Sequence, residues 1–153
     1  MSEVEDKIKV LFLCTGNSCR SQIAEGWARH LKGDVIEVFS AGISPARLNE
    51  MAVEVMSEAG VDISKQRAKH VGDLFGIDFD YVITLCDHAN EYCPVFPRRT
   101  KHVHRSFPDP SFLPGTRDEV MAAFRKTRDD IKAFIETLPE GLKEGTAGLL
   151  LDV

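Results

Sequence analysis

Short apolar runs alternate along the chain with stretches in which apolar residues recur every three or four positions. "IKVLFLC" (8–14) is almost continuously apolar, without regular polar alternation. A strand covered on both faces has that pattern, as in a parallel sheet. Ile23, Ala24, Trp27, Ala28 and Leu31 follow at helical spacing, and Gly33 is placed to end that helix. "VIEVFSAG" (35–42) predicts a second strand. Leu48, Ala52, Val55, Met56 and Ala59 predict a second amphipathic helix, with Asn49 or Ser44-Pro45 at its start and Gly60 at its end. "AKHVGDLF" (68–75) reads as a short helix and "DYVITLC" (80–86) as a third strand. Residues 87–99 read as a loop holding Cys93 and two prolines, and "KHVHRSF" (101–107) as a weaker fourth strand. The last helix is the clearest. Thr116 and Glu119 carry a capping-box signature, Val120, Phe124, Ile131, Phe134, Ile135 and Leu138 form its buried stripe, and Pro139 stops it. Strands alternating with helices predict an α/β fold with a short parallel sheet.

The chain has 153 residues, enough for one domain with its own core. We expect a catalytic unit over residues 1–138 and an extension over 139–153, mobile or docked through "LLLDV". The net charge of −5 argues against a general nucleic-acid binder, but leaves room for a local basic pocket. No run approaches the ~18 apolar residues of a membrane span. The start, "MSEVEDKIK", lacks the make-up of a secretory signal. The expected setting is the cytoplasm. There, four cysteines point to catalysis, redox work or metal rather than structural disulfides.

"CTGNSCRS" (14–21) carries the clearest chemistry. Cys14 falls at the carboxyl end of the first strand and a helix starts near Arg20, which is where open α/β sheets bind ligands. Backbone N–H groups of such a loop and the helix N-terminus favour anions. A cysteine there is expected to have a depressed pKa. Arg20 can grip two oxygens of a tetrahedral oxyanion. Gly16 allows a tight turn, Asn17 tolerates a left-handed conformation, and Ser21 can donate to the sulfur.

Cys-x5-Arg-Ser directly after the first strand resembles the low-molecular-weight protein tyrosine phosphatase superfamily. The longer stretch "CTGNSCRSQIAEGWA" (14–28) is more similar to its thioredoxin-coupled arsenate reductases, since the phosphatases typically have Pro where this chain has Gln22. The resemblance runs from about Lys9 to about Leu138. It implies a four-stranded parallel sheet flanked by helices on both faces. It also implies an oxyanion cradle of Thr15, Gly16, Asn17, Ser18, Cys19 and Arg20 around Cys14.

"TLCDHANEYCP" (84–94) separates the two branches. A phosphatase needs one cysteine, whereas a reductase must deliver two electrons and hand on an oxidised pair. The resemblance places the reductases' resolving cysteines on Cys86 and Cys93. It implies attack of Cys14 on arsenate, then a Cys14/Cys86/Cys93 disulfide relay regenerated by thioredoxin, with no tightly bound cofactor. It further places the family's general acid on Asp109 of "FPDPS". Some of the reductases bind potassium at positions matching Asn17, Glu25 and Ser40. The fourth, acidic position falls here on Lys69, so no potassium is expected. A monomer is expected, with arsenate and thioredoxin as partners and neither nucleic acid nor membrane. Three alternatives stay open: a phosphatase hydrolysing aryl phosphates through Cys14, a core role for Cys86, and a zinc site of Cys14, Cys19, Cys86 and Cys93.

Overall fold

The structure, a computed structural model, describes residues 7–112 and 114–142. Four strands form one parallel sheet in the order β2-β1-β3-β4, with β1 at Ile8–Cys14, β2 at Ile36–Gly42, β3 at Tyr81–Thr84 and β4 at Lys101–His104. Val10 to Leu13 are fully buried, as the unbroken apolar run predicts for a strand covered on both faces. Helix α1 (Arg20–Lys32) packs over β1 and β2. Helix α2 (Glu50–Glu58) and the long α4 (Arg117–Glu136) pack against it and each other. The Trp27 indole N–H donates to the Arg128 carbonyl at 3.1 Å, tying α1 to α4. Asn49 caps α2 by accepting from the Met51 and Ala52 amides, and Thr116 with Glu119 closes the capping box of α4.

Three stretches differ from the periodicity. Residues 87–91 form a five-residue helix, α3 (Asp87–Glu91), rather than loop. Only Ala89 on it is buried, so it has no apolar period to read. Its start is fixed by the Cys86 sulfur, which accepts the Ala89 amide at 3.4 Å. The helix expected at 68–75 is a single 3₁₀ turn at Val71–Leu74, capped by the His70 ring. β4 stops at His104, and the chain to Phe107 runs on beside β3 through single bonds from the Arg105 amide to Thr84 and the Phe107 amide to Leu85. Leu138 and Leu142 are buried in the core, so the chain just past α4 stays on the body. The docking of "LLLDV" falls outside the described residues. No described helix is long and apolar enough to cross a membrane.

The strand order creates the site. From β1 the chain goes to one neighbour, β2, then crosses to the other, β3. The crevice between the carboxyl ends of β1 and β3 is such a sheet's switch point. Leu13 pairs with Thr84, which sets Cys14 and Cys86 at the ends of adjacent strands. Gly42, at the end of β2, lets the loop after β1 pass. A Cβ there would lie 2.7 Å from the Thr15 carbonyl oxygen and 3.0 Å from the Asn17 amide nitrogen. Gly42→Ala is expected to cost about 1–3 kcal/mol, the usual range for overpacking. Gly76→Ala, where a Cβ meets nothing within 4 Å, should stay within about 0.5 kcal/mol of wild type. Urea unfolding of the two variants checks this, and equal stabilities would contradict it.

Candidate active site

The loop between β1 and α1 has every carbonyl bonded away from its hollow. Cys14, Thr15, Gly16 and Ser18 give their oxygens to the amides of Ile43, Ser44, Ala46 and Asn49 at 2.8–3.1 Å. The Asn17 oxygen accepts from Gln22 Nε2 at 2.9 Å. The N–H of each peptide lies opposite its C=O, so the amides of residues 15–19 turn the other way. The result is a concave nest of donors. It opens on a cavity of about 280 Å³ that also exposes Cys14, Arg20, Asp109 and Ser111. A larger cavity of about 820 Å³ is lined by Glu25, Arg29, Arg67 and Lys69 among others, and holds none of the cysteines. Of the two, the smaller brings Cys14, Arg20 and Asp109 together.

Asn17 holds the loop's shape. It has φ 49°, the left-handed conformation that Asn tolerates better than most residues. Its fully buried side chain accepts the Lys69 amide at 2.8 Å, which fixes which way the amide group points. Its two N–H bonds then go to Ser21 Oγ at 2.8 Å and Ser40 Oγ at 3.0 Å. Ser40 in turn donates to the buried Glu25 carboxylate. Ser21, receiving from Asn17, has its own proton free for the Cys14 sulfur, 2.9 Å away. The chain of bonds from Asn17 thus leaves Ser21 able to donate to Cys14. Asn17 thus shapes the cradle from behind, while Thr15, Gly16, Ser18, Cys19 and Arg20 line it.

Gln22 is the second fastener. It is fully buried, bonds the carbonyls of Asn17 and Arg67 through Nε2, and accepts from Gln66 at 2.8 Å. A proline at this position could make none of these bonds. Glu25 is flanked by Arg29 at 2.7 Å and Lys69 at 3.9 Å.

Arg20 lies across the cavity mouth. One guanidinium nitrogen donates to the Phe107 carbonyl at 2.9 Å and another to Asp109 at 3.3 Å. Asp109 is held in turn by the Ser111 amide and hydroxyl, at 2.9 and 2.6 Å. On the opposite rim, Thr15 Oγ1 sits 3.3 Å from the Cys86 sulfur, so the two strand ends meet through the residue after Cys14. Cys93 lies beyond α3, half-buried, and all four thiols are free. Burial pushes the Cys93 thiol up to about 11. Burial, reinforced by Asp109, pushes the Cys19 thiol far above the ordinary range despite Arg20, which leaves it a poor nucleophile. Among the described residues no three His, Cys, Asp or Glu are placed to share a metal ion.

The sequence pattern singles out neither Gly42 nor the Gln66 contact, and it gives Thr15 only as part of the cradle. A glycine ending an apolar strand opposite a Cys-x5-Arg loop was the one signal available for Gly42.

Comparison with known proteins agrees with this geometry. Residues 9–147 match the family described as low molecular weight phosphotyrosine protein phosphatase. Arsenate reductase from Bacillus subtilis is 46% identical over 138 residues, covering 88% of this chain and 99% of that protein. A solved arsenate reductase in its intermediate state superposes with a TM-score of 0.70 at 32% identity, covering 86% of this chain and 95% of the other. The low-molecular-weight protein tyrosine phosphatase of T. tengcongensis superposes with a TM-score of 0.68 at 28% identity, covering 88% and 99%. The chain belongs to the low-molecular-weight phosphotyrosine protein phosphatase family, among its arsenate reductases.

Proposed function

We propose that this protein reduces arsenate to arsenite through Cys14, Cys86 and Cys93, with thioredoxin as the external reductant. The observation that carries the reading is the Thr15–Cys86 contact, which sets a second thiol at the rim of the nucleophile's cradle. In the first step the Cys14 thiolate, steadied by Ser21, attacks arsenic(V) held by the inward amides and Arg20. Arg20 turns from Asp109 to the anion, and Asp109 supplies the proton with which an arsenate oxygen leaves as water. In the second step Cys86, as thiolate, attacks the Cys14 sulfur. The sulfur–arsenic bond breaks and its electron pair stays on arsenic, which departs as arsenite. A Cys14–Cys86 disulfide remains. In the third step Cys93 attacks Cys86, a Cys86–Cys93 disulfide forms, and Cys14 leaves as the thiolate that Ser21 stabilises. A dithiol protein of the thioredoxin type reduces that last bond.

The third step requires a change of shape. Cys86 caps the start of α3 and Cys93 lies beyond its end, so seven steps at the helical rise of ~1.5 Å would hold them about 10 Å apart. That exceeds the ~4.4–6.8 Å Cα separation of a disulfide. α3 must therefore unwind before Cys93 reaches Cys86. With one buried residue, Ala89, it resists little. Unwinding also releases Cys93 from the burial that keeps it a thiol.

Hydrolysis of aryl phosphates through a Cys14 phosphoenzyme is the second reading, favoured by the same cradle and acid. The two part in mutants. Arsenate-dependent oxidation of NADPH, coupled through thioredoxin and its reductase, should vanish in Cys14→Ser, Cys86→Ser and Cys93→Ser. Asp109→Asn should slow it by about 10²–10⁴-fold, the usual worth of a general acid. Any hydrolysis of p-nitrophenyl phosphate should need Cys14 but neither Cys86 nor Cys93. Arsenate turnover that survives Cys86→Ser would sink the relay.

In the reduced protein, Cys93 should alkylate with a midpoint near its raised value of about 11. The sign follows from burial favouring the neutral thiol. The folded form loses stability from this group as pH climbs from the ordinary thiol range of ~8.5 through the raised value. Iodoacetamide kinetics followed on the Cys93 peptide measure this, and a midpoint near 8.5 would contradict it.

A further inference from the structure

One exposed histidine is tied into the site. His88, on the first turn of α3, brings Nδ1 to 2.9 Å from the Thr15 hydroxyl, which itself lies 3.3 Å from the Cys86 sulfur. Cys86 must lose its proton before it can attack. At 5% exposure, it has little access to bulk water as the acceptor. Thr15 has one proton to give and lone pairs to receive another. With the His88 ring proton on Nε2, the chain reads S–H to Oγ, then O–H to Nδ1. Moving both protons one step leaves a thiolate accepting from Thr15, and Thr15 accepting from an Nδ1–H imidazolium. Every position stays hydrogen-bonded in both states, and the Ala89 amide at 3.4 Å steadies the thiolate.

We propose that His88 is the proton acceptor for Cys86, working through the Thr15 hydroxyl, which deepens and rests on the reductase reading above. The Cys86 proton passes to Thr15 as the Thr15 proton passes to His88. No electrons move in this step. The electron pair left on Cys86 is the one that forms the bond to Cys14. His88 touches no reacting atom and is a positioning residue in that sense. The groups around it are few. Tyr92, on the same helix, lies against the ring at 4.8 Å between centroids. Asp87 and Glu91 belong to the same helix, and Asp87 is engaged by His104 of β4 at 3.0 Å. Thr15 comes from the loop after β1, and Cys14 ends β1 itself.

The test needs no arsenate, so it stands or falls apart from the reductase reading. In the full chain carrying Cys14→Ser, the raised thiols of Cys19 and Cys93 stay silent below pH 9. Thiolate absorbance at 240 nm then reports Cys86 alone, with no need for a reagent to enter. The expected result is a thiolate signal at pH 7 that falls about tenfold when His88→Gln is added. Gln can still bond Thr15 but cannot take a proton, so a merely structural role for His88 would leave the signal in place. Equal thiolate signals at pH 7 in the two proteins would overturn the proposal.

Discussion

The site depends on one constraint. Each of the five carbonyls from Cys14 to Ser18 is bonded away from the cavity, four by the chain at 43–49 and one by Gln22. A loop that spends its acceptors outward has only donors left to face inward, and donors are what an oxyanion requires. Asn17 makes this possible. Its left-handed backbone turns the chain, and its buried amide group saturates itself on Lys69, Ser21 and Ser40. The same amide, by donating to Ser21, leaves the Ser21 proton available to the Cys14 sulfur. One side chain that does not line the cavity thus shapes the loop and reaches Cys14 through Ser21.

The second constraint is topological. A sheet in the order β2-β1-β3-β4 leaves β1 and β3 side by side with their following loops diverging. Cys14 ends one strand and Cys86 follows the other, so the fold already sets on adjacent strand ends the two thiols that the proposed relay joins first. The third cysteine is kept away by α3, the short, thinly anchored helix between Cys86 and Cys93. Its first turn is held by Cys86, Thr15 and His104, through His88 and Asp87. Oxidation of Cys86 removes one of those holds. In the proposed relay, a bond change at the cavity is thereby coupled to the release of the segment needed next.

Much of this was legible in the residues. β1, α1 and α4 announced themselves by an unbroken apolar run, a helical period ended by glycine, and a capping box. Cys14, Arg20 and Ser21 were legible because strand, loop and helix fixed where a Cys-x5-Arg segment must sit. α3 was not, since five residues with one apolar anchor carry no period. Nor were the long-range polar fasteners. Gln22 and Gln66 are ordinary polar residues 44 positions apart until the fold brings them to 2.8 Å. Asp109 reaches Arg20 across 89 positions, through a turn whose own sequence says only that it bends. Periodicity records what a residue buries, and spacing records local loops. Neither records which distant amide a side chain will find.

The central claim is that arsenate drives oxidation from Cys14 through Cys86 to Cys93. Disulfide mapping tests it most directly. Fully reduced protein is mixed with arsenate without thioredoxin, quenched with an alkylating agent, digested and analysed by mass spectrometry. The account predicts a Cys86–Cys93 bridge that appears only with arsenate, with Cys14 recovered alkylated. Four cysteines that alkylate alike with and without arsenate would contradict it.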